Sequence, residues 1–462
     1  MPTKKESSSY KYKKKEKHFK NAWVISVNMG YGHERAAYAL KDIAAGDGYI
    51  IANNYSGIPK EEKKSWQESR KLYEAISRLK PIPIIGDIAF GIMDKIQEIP
   101  AFYPRRDLSQ PSIQLKGTFH FIEKYNIGKA LVEELTTSEK HLPFVSTFFI
   151  PSFAAELYDY PGEIYCIICD ADFSRAWVSP DAKQSRIKYF APCGRVAERL
   201  KLYGVREENI YLTGFPIPKE LIGGPNAEIV KRDMLDRFCN LDPNGVFRAR
   251  YEKILKTHFG SSLKTCGRVK RPLTLTFAVG GAGAQRRLGI EIIKSLREKI
   301  KRNQIQINLV AGTRKGLAKY FETEINKLGL KRNHGKGVNI IVERTRPEYF
   351  KEFTKLLRTT DILWTKPSEL SFYTGAGIPI IMAPVIGSQE EFNRLWLQQI
   401  GGGVDQLDPQ YTNEWLFDWV NSGALARMAW NGYIEAPTHG THRIEQIITG
   451  EKVELEQLPL VV

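Results

Sequence analysis

Little in this sequence points directly to one narrow class. Cysteine is scarce: five scattered residues in a chain of 462, an odd set that gives no disulfide framework. Cys166 and Cys169 form a CxxC, but within the apolar run from Ile164 to Ile168, and they read as reduced core residues. No uninterrupted apolar run is long enough to span a bilayer, and the polar, lysine-rich start does not read as a signal peptide. An aromatic-rich RNA-binding motif and a helix-turn-helix signature are both missing, so no nucleic-acid partner is expected. The full GxGxxG spacing is missing after the first strand, so a dinucleotide fingerprint is not supported. Acidic residues are outnumbered, with 68 Lys and Arg against 52 Asp and Glu, a net charge of +16. By itself that balance favours an anionic partner: nucleic acid, a phosphorylated substrate or an anionic membrane surface.

The length suggests two to three domains with ample core. Residues 1–20 hold eight Lys against two Glu and have little to bury, so they read as a disordered basic arm, either a solubilising tail or a segment attracted to anionic headgroups. Residues 21–217 read as a first α/β domain, with a helical insertion at 58–140. Its first strand, Ala22 to Asn28, runs into Gly30, Tyr31, Gly32 and His33, and a helix follows over Glu34 to Ala44. A glycine turn lets backbone approach a ligand, and a helix N-terminus lowers the pKa of a nearby histidine, so His33 is a candidate neutral base. Phe144 to Ile150 and Glu163 to Cys169 read as further strands. The second of these ends in Asp170, Ala171 and Asp172, with Trp177 close behind. A DxD pair can bind a divalent cation, but no third ligand lies nearby and no metal site is expected. In the insertion, the apolar spacing of Ile84 to Ile99 is helical and reads first as packing against the domain, with shallow insertion into a lipid interface as the second reading, kept open by Phe102, Tyr103, Arg105 and Arg106 after it.

Residues 218–271 read as a linker with a helical insertion, and 272–411 as a second α/β domain. Its opening strand, Leu273 to Val279, meets five consecutive small residues, Gly280 to Ala284, then Gln285, Arg286 and Arg287. Such a turn lets main-chain N–H groups cradle a diphosphate at a helix N-terminus. Farther on, Asp361 to Trp364 is a buried strand, Ser368 can cap a short helix opened by Glu369, and Gly375 and Gly377 stop that helix. The strand Ile378 to Met382 leads into a loop holding Gln389, Glu390 and Asn393. A carboxylate such as Glu369 could hold ribose hydroxyls, and the amides of Gln389 and Asn393 could hold sugar hydroxyls. Residues 412–462 read as helices that pack back across the first domain.

Two α/β halves, each opening with a strand and a glycine turn, suggest a GT-B architecture of two Rossmann-like doubly wound domains facing a central cleft. The motifs GYGHERAAYAL (30–40), ICDADFSRAW (168–177), YFAPCGRVAERLKLYGVREENIYLTGFPIP (189–218), VGGAGA (279–284) and TKPSEL with GAGIPIIMAPVIGSQEEFN (365–393) stand in order. That ordered set resembles the glycosyltransferase family containing monogalactosyldiacylglycerol synthases, processive diacylglycerol glucosyltransferases and the lipid-linked peptidoglycan N-acetylglucosaminyltransferase. The resemblance implies inverting transfer of a hexose from a UDP-sugar to a membrane-lipid acceptor, diacylglycerol-like or polyprenyl-linked. It needs no cofactor beyond the donor. His33 would be the base, with Asp170 or Asp172 as alternative base or as the group that orients it. Gly30, Gly32 and Trp177 would lie on the acceptor side. Gly280, Gly281, Gly283 and Gln285 would hold the UDP phosphates, and Lys366, Ser368, Glu369, Gln389, Glu390 and Asn393 the rest of the donor. In relatives the ribose carboxylate lies about five residues before the Gly-Ile/Leu-Pro turn, a place held here by Phe372. The expected setting is the cytoplasmic face of a membrane, peripherally associated. A UDP-sugar epimerase of the same architecture and a non-catalytic basic protein that binds nucleic acid or another anion are the rival readings.

Overall fold

Among the described residues, short runs of apolar, β-branched and aromatic residues form twelve strands, and every pairing between them is parallel. The computed structural model describes residues 21–68, 98–137, 141–260, 263, 271–278, 285–385 and 387–455. The basic arm, most of the helix expected over Ile84 to Ile99, and Gly280, Gly281 and Gly283 of the expected phosphate turn lie outside these residues.

The first sheet contains β1 (Trp23–Ser26), β2 (Ile50–Ile51), β3 (Phe144–Ser146), β4 (Ile164–Ile167), β5 (Lys188–Ala191) and β6 (Ile210–Leu212). Their order is β2-β1-β3-β4-β5-β6. The second contains β7 (Leu273–Ala278), β8 (Ile305–Gly312), β9 (Val338–Val342), β10 (Ile362–Thr365), β11 (Ile380–Met382) and β12 (Gly403–Asp405), in the order β12-β11-β10-β7-β8-β9. Strands such as β3, β4, β7 and β10 are buried along their whole length, as parallel sheets covered by helices require. The two sheets with their flanking helices make two doubly wound, Rossmann-like lobes. In each, the strand order reverses once, between β1 and β3 in the first lobe and between β7 and β10 in the second. Open α/β sheets form their ligand crevices at such reversals, outside the carboxyl ends of the strands.

Two local expectations change. The run from Phe144 to Ile150 is not one strand: β3 stops at Ser146, and a helix, Phe149–Leu157, begins three residues later. Pro151 falls in the first turn of that helix, where its missing N–H costs no intrahelical bond. Ser368 makes no side-chain cap, and the segment it precedes is a 3₁₀ helix, Glu369–Ala376. That helix ends at Gly377 in the left-handed region at φ +67, where a Cβ would also stand 2.4 Å from Met234 Cγ. Phe102 is buried beneath the guanidinium groups of Arg195 and Arg199, at 4.6 and 4.9 Å, which fits the first reading of its stretch, packing on the domain, rather than the second.

Cys166, Cys169 and Cys193 are free and buried. Cys239 is disulfide-bonded, which its scattered spacing did not suggest. The inserted helix Glu228–Leu241 packs on the second lobe through Arg237, which donates to the carbonyls of Thr360, Ala376 and Gly377. The last described helix, Gly440–Thr449, lies against the end of the first lobe. There Thr441 Oγ1 donates to the Ile217 carbonyl, and Lys219 pairs with Glu445 at 2.9 Å and Asp42 at 2.7 Å. Among the described residues no helix is long and apolar enough to cross a membrane.

Candidate active site

The two reversal points meet. Helix α1 (Gly32–Ala39) follows β1 across the glycine turn and carries His33, Glu34 and Arg35 toward the second lobe. Arg35 is buried, pairs with Glu369 at the start of the 3₁₀ helix, and donates to Tyr349 Oη at 2.7 Å. Burial opposes the Arg35 charge, but Tyr349, Glu369 and Tyr373 outweigh it and hold the guanidinium above its ordinary pKa. Glu369 lies so close to α1 that a Cβ on Gly32 would stand 2.9 Å from its Oε2. The glycine at position 32 therefore admits the carboxylate from the facing lobe.

Two further contacts join the lobes here. Tyr31 reaches the end of β8, where its Oη accepts from Thr313 N at 3.0 Å. Gly312, at φ +66, leaves room for it: a Cβ there would stand 2.5 Å from that oxygen. Helix α2 (Arg346–Leu357) supplies Arg346, which pairs with Glu34 and donates to Asn28 Oδ1 at 2.6 Å. Neither Tyr31, Arg35, Arg346 nor Tyr349 was expected from the sequence.

His33 stands beside this seam. Its ring meets Phe148 at 4.9 Å and Trp177 at 5.9 Å between centroids. Desolvation pulls its pKa down to about 4, against the Thr147 backbone and the Glu369 charge, which raise it. It is thus neutral near pH 7, as expected, but through burial rather than the helix dipole. Its Nδ1 is buried and has no hydrogen-bond partner among the described residues. Phe148 also walls an apolar groove of about 330 Å³, lined by Met29, Trp66, Phe121 and Ile150 among others.

The two aspartates at the end of β4 have different fates. Asp172 is fully buried and saturated: Arg199 donates to both oxygens at 2.8 and 2.9 Å, and Arg195 Nε to Oδ2 at 2.7 Å. This corrects its reading as a base, because no oxygen is left to take a proton, and it breaks up the DxD pair as a cation clamp. Asp170 instead faces the second lobe. Burial raises its pKa to about 6, with the Asn393 hydrogen bond pulling it down and the Glu369 and Glu390 charges pushing it up. Lys366, at the end of β10, pairs with Glu390 within reach of the same carboxylate. Among the described residues no three His, Cys, Asp or Glu side chains group as cation ligands.

Asn393, on helix α3 (Ser388–Gln399), is fully buried. Its Nδ2 donates to Asp170 Oδ1 at 2.8 Å and its Oδ1 accepts from Ala171 N at 2.7 Å. Both ends of the amide are engaged, so it does not offer itself to a sugar as expected. Gln285 caps the start of the helix Arg286–Lys301 by position and donates to the Pro384 carbonyl at 2.9 Å, tying the end of the glycine-rich segment to the loop after β11. Phe372 stacks on Phe215 of the first lobe at 5.0 Å and is buried, which removes that position from any ribose contact.

A family profile described as "Domain of unknown function (DUF6938)" matches residues 264–428. No curated protein matches the chain. Among solved structures, MurG from Acinetobacter baumannii is similar over 93% of this chain and 100% of its own, at 12% identity and a TM-score of 0.44. A complex of S. aureus MnaA with UDP is similar over 95% and 98%, at 10% identity and 0.46. Anabaena HepE in complex with UDP and glucose is similar over 74% and 85%, at 12% identity and 0.39.

Proposed function

We propose that this chain is a UDP-sugar-dependent hexosyltransferase that moves the sugar, with inversion, onto a hydroxyl of a membrane-lipid acceptor. The observation that carries the reading is the meeting of Asp170 and His33, at strand ends of the first sheet, with Glu369, Lys366 and Glu390, at strand ends of the second. A carboxylate with a pKa near 6 is ionised at neutral pH yet basic enough to take a proton in the transition state. In a single displacement the acceptor oxygen bonds to the anomeric carbon, the bond to UDP breaks with its electron pair on the phosphate, and the acceptor proton passes to Asp170. His33, neutral and partly buried beside Phe148 and Trp177, lines the acceptor side and can take the same proton. Lys366 and the main-chain donors of the glycine-rich turn would meet the negative charge that grows on the leaving diphosphate.

Glu369 is paired with Arg35, so ribose would have to share that carboxylate with the guanidinium. The apolar groove next to His33 supports a hydrocarbon-bearing acceptor, since Phe148 belongs to both. The strongly basic composition supports peripheral association with an anionic cytoplasmic membrane face. The test is a thermal-shift screen of UDP-sugars followed by product analysis with lipid extracts. A stabilising UDP-sugar and a new glycolipid are expected; stabilisation by none of them would defeat the assignment. Release of an epimerised sugar nucleotide without any acceptor product would replace it with the epimerase reading.

A further inference from the structure

Asn393 is unusual on its own helix, which lies half exposed along the surface of the second lobe while this one polar side chain is fully buried. Its amide bridges residues 222 and 223 positions away in sequence, in the other lobe. The amide can stand only one way round. Rotating it by half a turn would set Nδ2 against the Ala171 N–H and Oδ1 against the Asp170 carboxylate, losing both bonds and opposing like partial charges. A third, longer contact, from Nδ2 to the Pro367 carbonyl at 3.4 Å, ties the same group to the loop after β10. Asp170 Oδ1 is thereby held, and among the described residues Oδ2 has no protein donor.

We propose that Asn393 is a positioning residue for Asp170: from the donor-side lobe it fixes the carboxylate so that Oδ2 is the oxygen that accepts the proton, and the alignment exists only while the lobes are in contact. The proposal rests on the assignment of Asp170 as base. Its physical core, the coupling of one amide to one carboxylate across the seam, stands apart from turnover. The charged and titratable groups that act on this carboxylate are Glu369 and Glu390, which disfavour its ionised form, Lys366, which favours it, and the adjacent Cys169 thiol. Removing the amide donor leaves Asp170 with those charges and without the one side-chain hydrogen bond it receives among the described residues.

The test uses the full chain with Asn393→Ala, Asn393→Leu (which keeps the volume) and Asn393→Asp, each alone and combined with Asp170→Asn. Thermal unfolding is followed from pH 4 to 8, and the Asp170→Asn background subtracts every other titrating group. In Asn393→Ala or Asn393→Leu the Asp170 titration midpoint should rise by about half a pH unit or more, and further in Asn393→Asp, where a second carboxylate faces the first. With an active donor, kcat should fall about tenfold or more with KM for the UDP-sugar nearly unchanged, and the rising limb of the pH–rate profile should move with the midpoint. A uniform loss of stability at every pH with the midpoint unmoved would overturn the proposal and leave Asn393 a packing residue. If no UDP-sugar is turned over, the function reading fails, but the titration still decides the coupling.

Discussion

Asp170 and Asp172 leave the same strand two residues apart and end in opposite environments. Asp172 turns into its own lobe and meets two arginines with near-ideal geometry, so a charge that burial would otherwise penalise is fully compensated. Asp170 turns outward to the other lobe and meets one amide and two more carboxylates, so it keeps an uncompensated burden that raises its pKa. A side chain that exists only to hold the fold is satisfied where it stands. One left under strain at a seam between lobes, one strand from the reversal of the first sheet and facing that of the second, is where chemistry is expected.

Breaking the satisfied aspartate should cost the most stability. Asp172→Asn leaves Arg199 buried without its counter-charge and should lower unfolding free energy by about 3–5 kcal/mol, measured by urea denaturation. Asp170→Asn should do the reverse. It should cut transfer about a hundredfold or more while raising the melting temperature at pH 7, because it removes a charge that folding disfavours. The sign follows from linkage. A carboxyl with a raised folded pKa contributes its stability fully below pH 3.8 and loses it as pH rises to about 6. The advantage of Asp170→Asn should therefore grow across that window and then stay level, reaching at most about 3 kcal/mol. An unchanged melting temperature across the window would erase the contrast between the two residues.

His33 sharpens the comparison from the other side, because its folded pKa lies below the ordinary value of 6.5. Its contribution to stability is complete above pH 6.5 and is lost as pH falls toward 4. Replacing it with Asn should flatten the acid limb of the stability curve, by less than about 3 kcal/mol since the ring keeps some solvent contact. The same change should slow transfer while sparing UDP binding by calorimetry. Least affected should be Tyr31→Phe, which removes only the hydroxyl contacts to Thr313 at the seam and should cost about 1 kcal/mol. It would still inform, because a drop in transfer far larger than that cost would show that lobe contact governs the reaction.

Much of the scaffold could be read from residue order alone. Buried runs such as Ile362 to Thr365 have no alternative to a covered parallel strand, and the glycine turn at 30–32 marks where the first one ends. His33 and Asp170 could be singled out as candidates, since one opens the helix after the first strand's glycine turn and the other lies just past the end of β4. What could not be read is the seam. Arg35 looks like an ordinary helical charge, and only the approach of Glu369 from more than three hundred residues away gives it a partner. Asn393 has the chemistry of a sugar ligand, and sequence cannot reveal that both ends of its amide are engaged. Asp172 looked equivalent to Asp170 because spacing on a loop does not say which lobe a side chain turns to. Arg199, one helix later, was the available hint: a basic residue on the buried face of an amphipathic helix needs a buried acid.

The most direct measurement is the pH dependence of kcat/KM for sugar transfer from a UDP-sugar identified by thermal shift, compared between the unaltered chain and Asp170→Asn. The account predicts a limb rising through about pH 6, set by ionisation of Asp170, and no such limb in the residual activity of the variant. Transfer that persists at full rate in Asp170→Asn with the same rising limb would contradict it.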